Sequence, residues 1–217
     1  MMDELELLKK DWQKQGQKLP KLSYEELYAM IWKRSSSIVK WIFIISIIEF
    51  ALPHLLYLIP SAREGIAFYD DLGLKYVILT LSVLQYGIVF YFIYQFYQRY
   101  REISVLDNAK VLMRKIIRTR KTVKNYIIFA LSVFLLTFLI IAIGILFSDG
   151  DSFLKVFELE NKSINMTTQQ LKFLISGVMV AMGVLCTALL GLIYFLIYGL
   201  LLRKLGRNYS ELKRLEV

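Results

Sequence analysis

The sequence lacks most of what a small soluble enzyme is built from. It holds one cysteine, Cys186, and one histidine, His54. An intramolecular disulfide is therefore excluded, as is any site needing several imidazoles. No cluster of His, Asp, Ser or Cys stands at a helix end. No catalytic residue, metal-ligating set or cofactor is therefore expected. Only 3 prolines and 11 glycines punctuate 217 residues. Charge is nearly absent from four long blocks, and 57% of all residues are hydrophobic. A soluble domain runs at roughly 45–50%. Blocks of this length read as membrane spans rather than strands or core helices. A soluble enzyme domain, a disordered chain and a disulfide scaffold are all excluded.

The spans are expected near 38–59, 76–97, 126–147 and 173–202. Backbone groups in lipid must be bonded internally, and the blocks lack the alternation of barrel strands, so they are helices. The last block is the longest and must tilt or project beyond the bilayer. The first block follows a charged segment, so it is expected to be a true span and not a cleavable signal. The expected fold class is all-α: a polytopic membrane protein with four transmembrane helices. Residues 1–37 form a helical N-terminal segment, 38–203 the membrane domain and 204–217 a basic tail.

Charge gives the orientation. Of the 27 Lys and Arg, 22 fall in residues 1–37, Lys40, the linker 98–125 and the tail, and five in the two loops on the other side. The positive-inside rule places both termini in the cytoplasm, in the inner membrane of a bacterium. The net charge of +9 is thus a topology signal. It does not point to nucleic acid.

The N-terminal segment carries two candidate helices. Leu5, Leu8 and Trp12 make an apolar stripe over residues 2–16. That stripe suits either anionic lipid headgroups or a docked protein partner. Ser23-Tyr-Glu-Glu26 matches a capping box, and the helix it starts is expected to run straight into the first span. In the linker, the second span is expected to continue to about Leu106 before a turn at Asp107-Asn108. A basic helix striped with Val111, Leu112, Ile116 and Ile117 then leads into the third span.

Within the membrane, Glu49 is the most informative residue. It lies at the midplane of the first span, where a charge costs ~2.5–3.5 kcal/mol or more. Hydrogen bonds from neighbouring helices would offset that cost. The candidate polar site is Glu49 with Ser46 one turn back, Gln85 and Tyr86 at matching depth on the second span, and Pro53. Contact with Gln85 or a neighbouring tyrosine is expected. Pro53 has no N–H, so the Glu49 carbonyl loses its helical partner and a kink is expected there. Small residues repeat in the last span: Gly183, Thr187 and Gly191 in one line continuing to Gly199, and Gly177 with Ala181 in another. This spacing lets helices approach closely, so none of these positions should face lipid. Tyr91, Tyr94, Tyr97 and Tyr100, with Gln95 and Gln98, fit an interfacial aromatic belt or the mouth of a polar cavity.

The runs Asp3-Glu-Leu-Glu-Leu-Leu-Lys-Lys-Asp-Trp12, Ser35-Ser-Ser-Ile-Val-Lys-Trp41 and Ile44-Ile-Ser-Ile-Ile-Glu49 resemble a group of uncharacterised bacterial four-span membrane proteins. The resemblance implies a link to extracytoplasmic-function sigma factors, with the N-terminal helix pair as an anti-sigma-like element. The function expected is a membrane-embedded interaction or regulatory protein, an accessory subunit with a protein partner or a second copy of itself. The alternative is a small proton-linked transporter or channel using Glu49.

Overall fold

The computed structural model describes residues 23–56, 68–103, 108–159 and 165–215. The helices are α1 (Tyr24–Leu56), α2 (Lys75–Glu102), α3 (Ala109–Phe147), the short α4 (Gly150–Val156), α5 (Thr168–Tyr194), a π-helical turn (Phe195–Gly199) and α6 (Leu200–Leu215). No strand occurs among the described residues. Four helical stretches are long and apolar enough to cross a membrane, the last running through α5, the π turn and α6. The stripe of Leu5, Leu8 and Trp12 lies outside the described residues.

Local chemistry sets the helix ends. The backbone N–H of Glu26 donates to Ser23 Oγ at 3.2 Å, and Glu26 Oε2 accepts from the Ser23 N–H at 2.8 Å, the reciprocal box read from sequence. The helix then continues unbroken into the first apolar block. Asn108 caps α3 by accepting from the Val111 N–H at 2.9 Å, and Thr167 with Gln170 makes a second box at the start of α5. The second span stops earlier than Leu106. It ends at Glu102, with Ile103 extended. There the Lys115 ammonium of α3 donates to the Glu102 carbonyl, a cation on the last orphan acceptors of the helix.

The helices outrun the hydrocarbon layer. At 1.5 Å per residue, the 39 residues of α3 reach about 58 Å, against a core of about 30 Å. Positions 37 and 203 are accordingly not breaks: α1 runs through the first and α6 through the second. The excess length packs as a helical module at the basic end, where α1, α3 and α6 bury Ile31, Val39, Leu112, Ile116, Leu205 and Leu212. The middle layer holds Ile42, Phe96, Val123, Tyr126, Tyr194 and Tyr198. The opposite end closes over Phe153, which α4 contributes and which is fully buried with Leu72, Ile141 and Ile145.

In the bundle α2 touches α1 and α3, α6 touches α1 and α3, and α3 with α5 is the most extensive pairing. Two buried side chains fasten that pair: Ser176 Oγ donates to the Ala142 carbonyl at 3.0 Å, and Lys172 donates to the Ser148 carbonyl just past the end of α3. Helix α2 stands at the edge. Phe96 is its one buried residue.

Candidate functional site

One face of α1 carries the buried Ser35, Val39, Ile42 and Ser46 at alternating spacings of four and three, and the half-buried Glu49 continues the line. This seam turns toward the other helices because its residues recur at the coiled-coil interval. Ser46 is 1% exposed and donates to the Phe43 carbonyl of its own helix at 2.7 Å. Glu49, at the same azimuth one step on, faces the last helix. Tyr194 donates to Glu49 Oε1, and Tyr198 donates to Oε2 at 3.0 Å. Tyr126 of α3 completes the cluster, with its ring centroid 6.4 Å from Tyr194 and 6.2 Å from Tyr198. Both carboxyl oxygens therefore have donors from within the chain. That arrangement offsets the desolvation of the acid.

The partner is a tyrosine, as the lone acid demands, but neither it nor its helix is the one expected from depth. Gln85 sits on the exposed edge of α2. Tyr86 stacks on Phe50 at 6.1 Å and His54 at 5.4 Å, which project one residue or more round α1 from the Glu49 seam. A helix advances about 100° per residue, so the face carrying Phe50 meets α2 while the face carrying Glu49 meets the end of α5 and the π turn. Pro53 is exposed within α1, which remains helical through it to Leu56.

The spacing of the partners reveals a fixed register. Asn208 Nδ2 donates to Ser35 Oγ at 2.9 Å, in a pair buried at the basic end. Ser35 and Glu49 are fourteen residues apart, and so are Tyr194 and Asn208. Helices α1 and α5–α6 thus run antiparallel in constant register over four turns. The π turn lies inside this stretch and contains Tyr198, which is wholly buried. Its widened turn alters which face of α6 follows, and turns of this kind occur often at functional sites.

The small residues of the last span divide into two groups. Gly183 is buried against α3; a Cβ there would meet Phe138 Cβ at 2.6 Å. Gly191 approaches Leu131 of the same helix, with 3.6 Å for a Cβ. Thr187 bonds back to the Gly183 carbonyl, and Gly199 lies under the Phe195 ring. Gly177 and Ala181, in contrast, are exposed, with nothing within 4 Å of a Cβ at Gly177. The expectation that all six avoid the lipid-facing surface does not hold for these two in the single chain, because α3 packs on the other side of α5.

The tyrosine series of α2 is tied to its glutamines along the helix, Gln98 donating to Tyr94 Oη. Gln95 donates to Tyr91 Oη at 2.7 Å, Arg99 donates to Gln95 and to both oxygens of Glu102, and the chain of contacts runs from the exposed Tyr91 to the half-buried Arg99. Tyr194 and Tyr198 carried a sequence signal that depth alone concealed. They are two tyrosines at i, i+4 in an otherwise apolar block, and such a pair presents two hydroxyls on one face.

Among the described residues no group of His, Cys, Asp and Glu is arranged to hold a metal ion. No curated protein matches the chain, and no solved structure does. A family model matches residues 25–217, from the first turn of α1 to the end of the chain. The chain therefore belongs to the family described as Domain of unknown function (DUF8845).

Proposed function

We propose that this protein is a membrane-embedded interaction or regulatory protein, an accessory subunit whose spans carry a helical docking module on the cytoplasmic side. The carrying observation is that both Glu49 oxygens are taken up inside the bundle while the basic end is built out as a module of its own. A carboxyl bonded to two tyrosines acts as a fastener between helices. The module has the length and the apolar packing of a presented surface.

Further support comes from the same end. Among the described residues the Trp32 indole N–H and Arg99 Nε are buried with no acceptor. Buried donors are nearly always satisfied in a complete assembly, so a partner or the N-terminal segment is expected to supply the missing oxygens. The 22 basic residues support a cytoplasmic position for this end and both termini, which the proposal takes to be at a bacterial inner membrane. The anti-sigma-like reading assigns Leu5, Leu8 and Trp12 to the partner.

Affinity purification of the tagged protein from its own membrane in mild detergent tests this, with deletion of residues 2–22 as the comparison. A partner retained by the full chain and lost on deletion supports it. Recovery of bare monomer from both, with an unchanged phenotype, refutes it. One observation favours the transporter alternative: the π turn stands beside the acid. Proteoliposome proton flux that falls in Glu49→Gln would replace the interaction reading, and equal flux removes the alternative.

A further inference from the structure

At the basic end a groove of about 650 Å³ runs between α1 and α6, lined by Lys33, Arg34, Ser37, Ile38, Lys204, Arg207 and Asn208. The lining repeats on both helices at i, i+3 or i+4, so the two faces oppose each other across the gap. Four basic side chains therefore border one groove, their stems along its walls. Arg207 is paired with Glu211 at 3.0 Å, and no ion pair is formed by Lys33, Arg34 or Lys204 among the described residues. Like charges held together on two helices repel, and an anion between them removes that cost. The floor is fixed: Asn208 is 4% exposed and bonded to the buried Ser35, which ties the two helices together beneath the groove.

The antiparallel register fixes the depth. Ile38, the start of the first apolar block, stands level with Leu205, and the four cations flank that level. The start of the apolar block at this level matches the headgroup layer of a bilayer. We propose that the cleft binds the phosphate of an anionic phospholipid, with Lys33, Arg34, Lys204 and Arg207 around the phosphate and Ser37 as an added hydroxyl donor. Arginine and lysine together bind phosphate through charge-assisted hydrogen bonds. Bound there, the lipid ties the first described helix to the last, at the root of the module. The proposal does not rest on the interaction reading.

Native mass spectrometry of the full chain in neutral detergent tests it, with phosphatidylglycerol and phosphatidylcholine as probes. The wild type should retain phosphatidylglycerol and not phosphatidylcholine. Lys33→Gln with Lys204→Gln should lower that occupancy about tenfold. Lys121→Gln with Lys124→Gln, which removes the same charge from α3, should leave it unchanged. Arg34→Gln alone serves if the first pair does not fold. An equal loss in both double variants overturns the proposal, since the attraction would then be diffuse. Release of the lipid by millimolar inorganic phosphate also overturns it, since the cleft would then serve a soluble phosphate.

Discussion

Glu49 accepts a hydrogen bond at 3.0 Å from Tyr198, a residue 149 positions further along the chain, with Tyr194 bonded to its other oxygen. The acid near the start of the membrane domain is thus held by the helix that ends it. Tyr198→Phe removes one donor from a half-buried carboxyl and should cost about 1–2 kcal/mol, read as a lower melting temperature in detergent. Glu49→Leu strands both hydroxyls and should cost more. In a double-mutant cycle, Glu49→Leu with Tyr198→Phe should lose less than the two changes added. Strict additivity would mean that the bond contributes nothing.

Gly183 and Gly177 lie in one helix and should respond oppositely to alanine. Gly183→Ala drives a methyl into Phe138, whose Cβ cannot swing away, and should destabilise by about 1–3 kcal/mol. Gly177→Ala meets nothing and adds helix propensity, so it should be neutral or stabilising by up to about 1 kcal/mol. Paired thermal melts decide this. A penalty at Gly177 would instead reveal a second helix packed on that face.

Lys172 is 6% exposed, bonded to the Ser148 carbonyl and set 5.7 Å from the Phe153 ring. Lys172→Met keeps the apolar stem but leaves the carbonyl unpaired and the ring without its cation. A loss of about 1–3 kcal/mol is expected. Local opening should appear first as faster hydrogen exchange in α4 and at the end of α3. Exchange that rises evenly over all helices would contradict a local role.

Orientation can be measured with single cysteines. In a Cys186→Ala background, a cysteine replacing Arg34 should react with an impermeant maleimide only after the membrane is opened. A cysteine replacing Asp151 of α4 should react from outside in intact cells. The reverse pattern would invert the topology and the cytoplasmic assignment of the module.

Much of this was legible in particular residues. The capping box at Ser23 and Glu26 lies on the surface and depends on four adjacent residues, so sequence alone located the start of α1. Glu49 stood out because a lone acid in an apolar block must find donors. Its partners were hidden because depth was judged by position within each span. The last helix is continuous from Thr168 to Leu215, so its middle did not mark the bilayer centre. The buried pair of Ser35 and Asn208, which sets the register, joins two unremarkable polar residues 173 positions apart.

The amino-acid order by itself determined that there are four apolar helices, where the first of them starts and which end is basic. These follow from local hydrogen bonding, from the length of apolar runs and from charge counting. Tertiary structure decided which face of α1 meets which neighbour, that Gly183 is internal while Gly177 is not, and that Tyr126, Tyr194 and Tyr198 gather on Glu49. Those outcomes depend on helix rotation and register. Both are set by the summed packing of the whole bundle and by one π turn, and no local stretch of sequence encodes them.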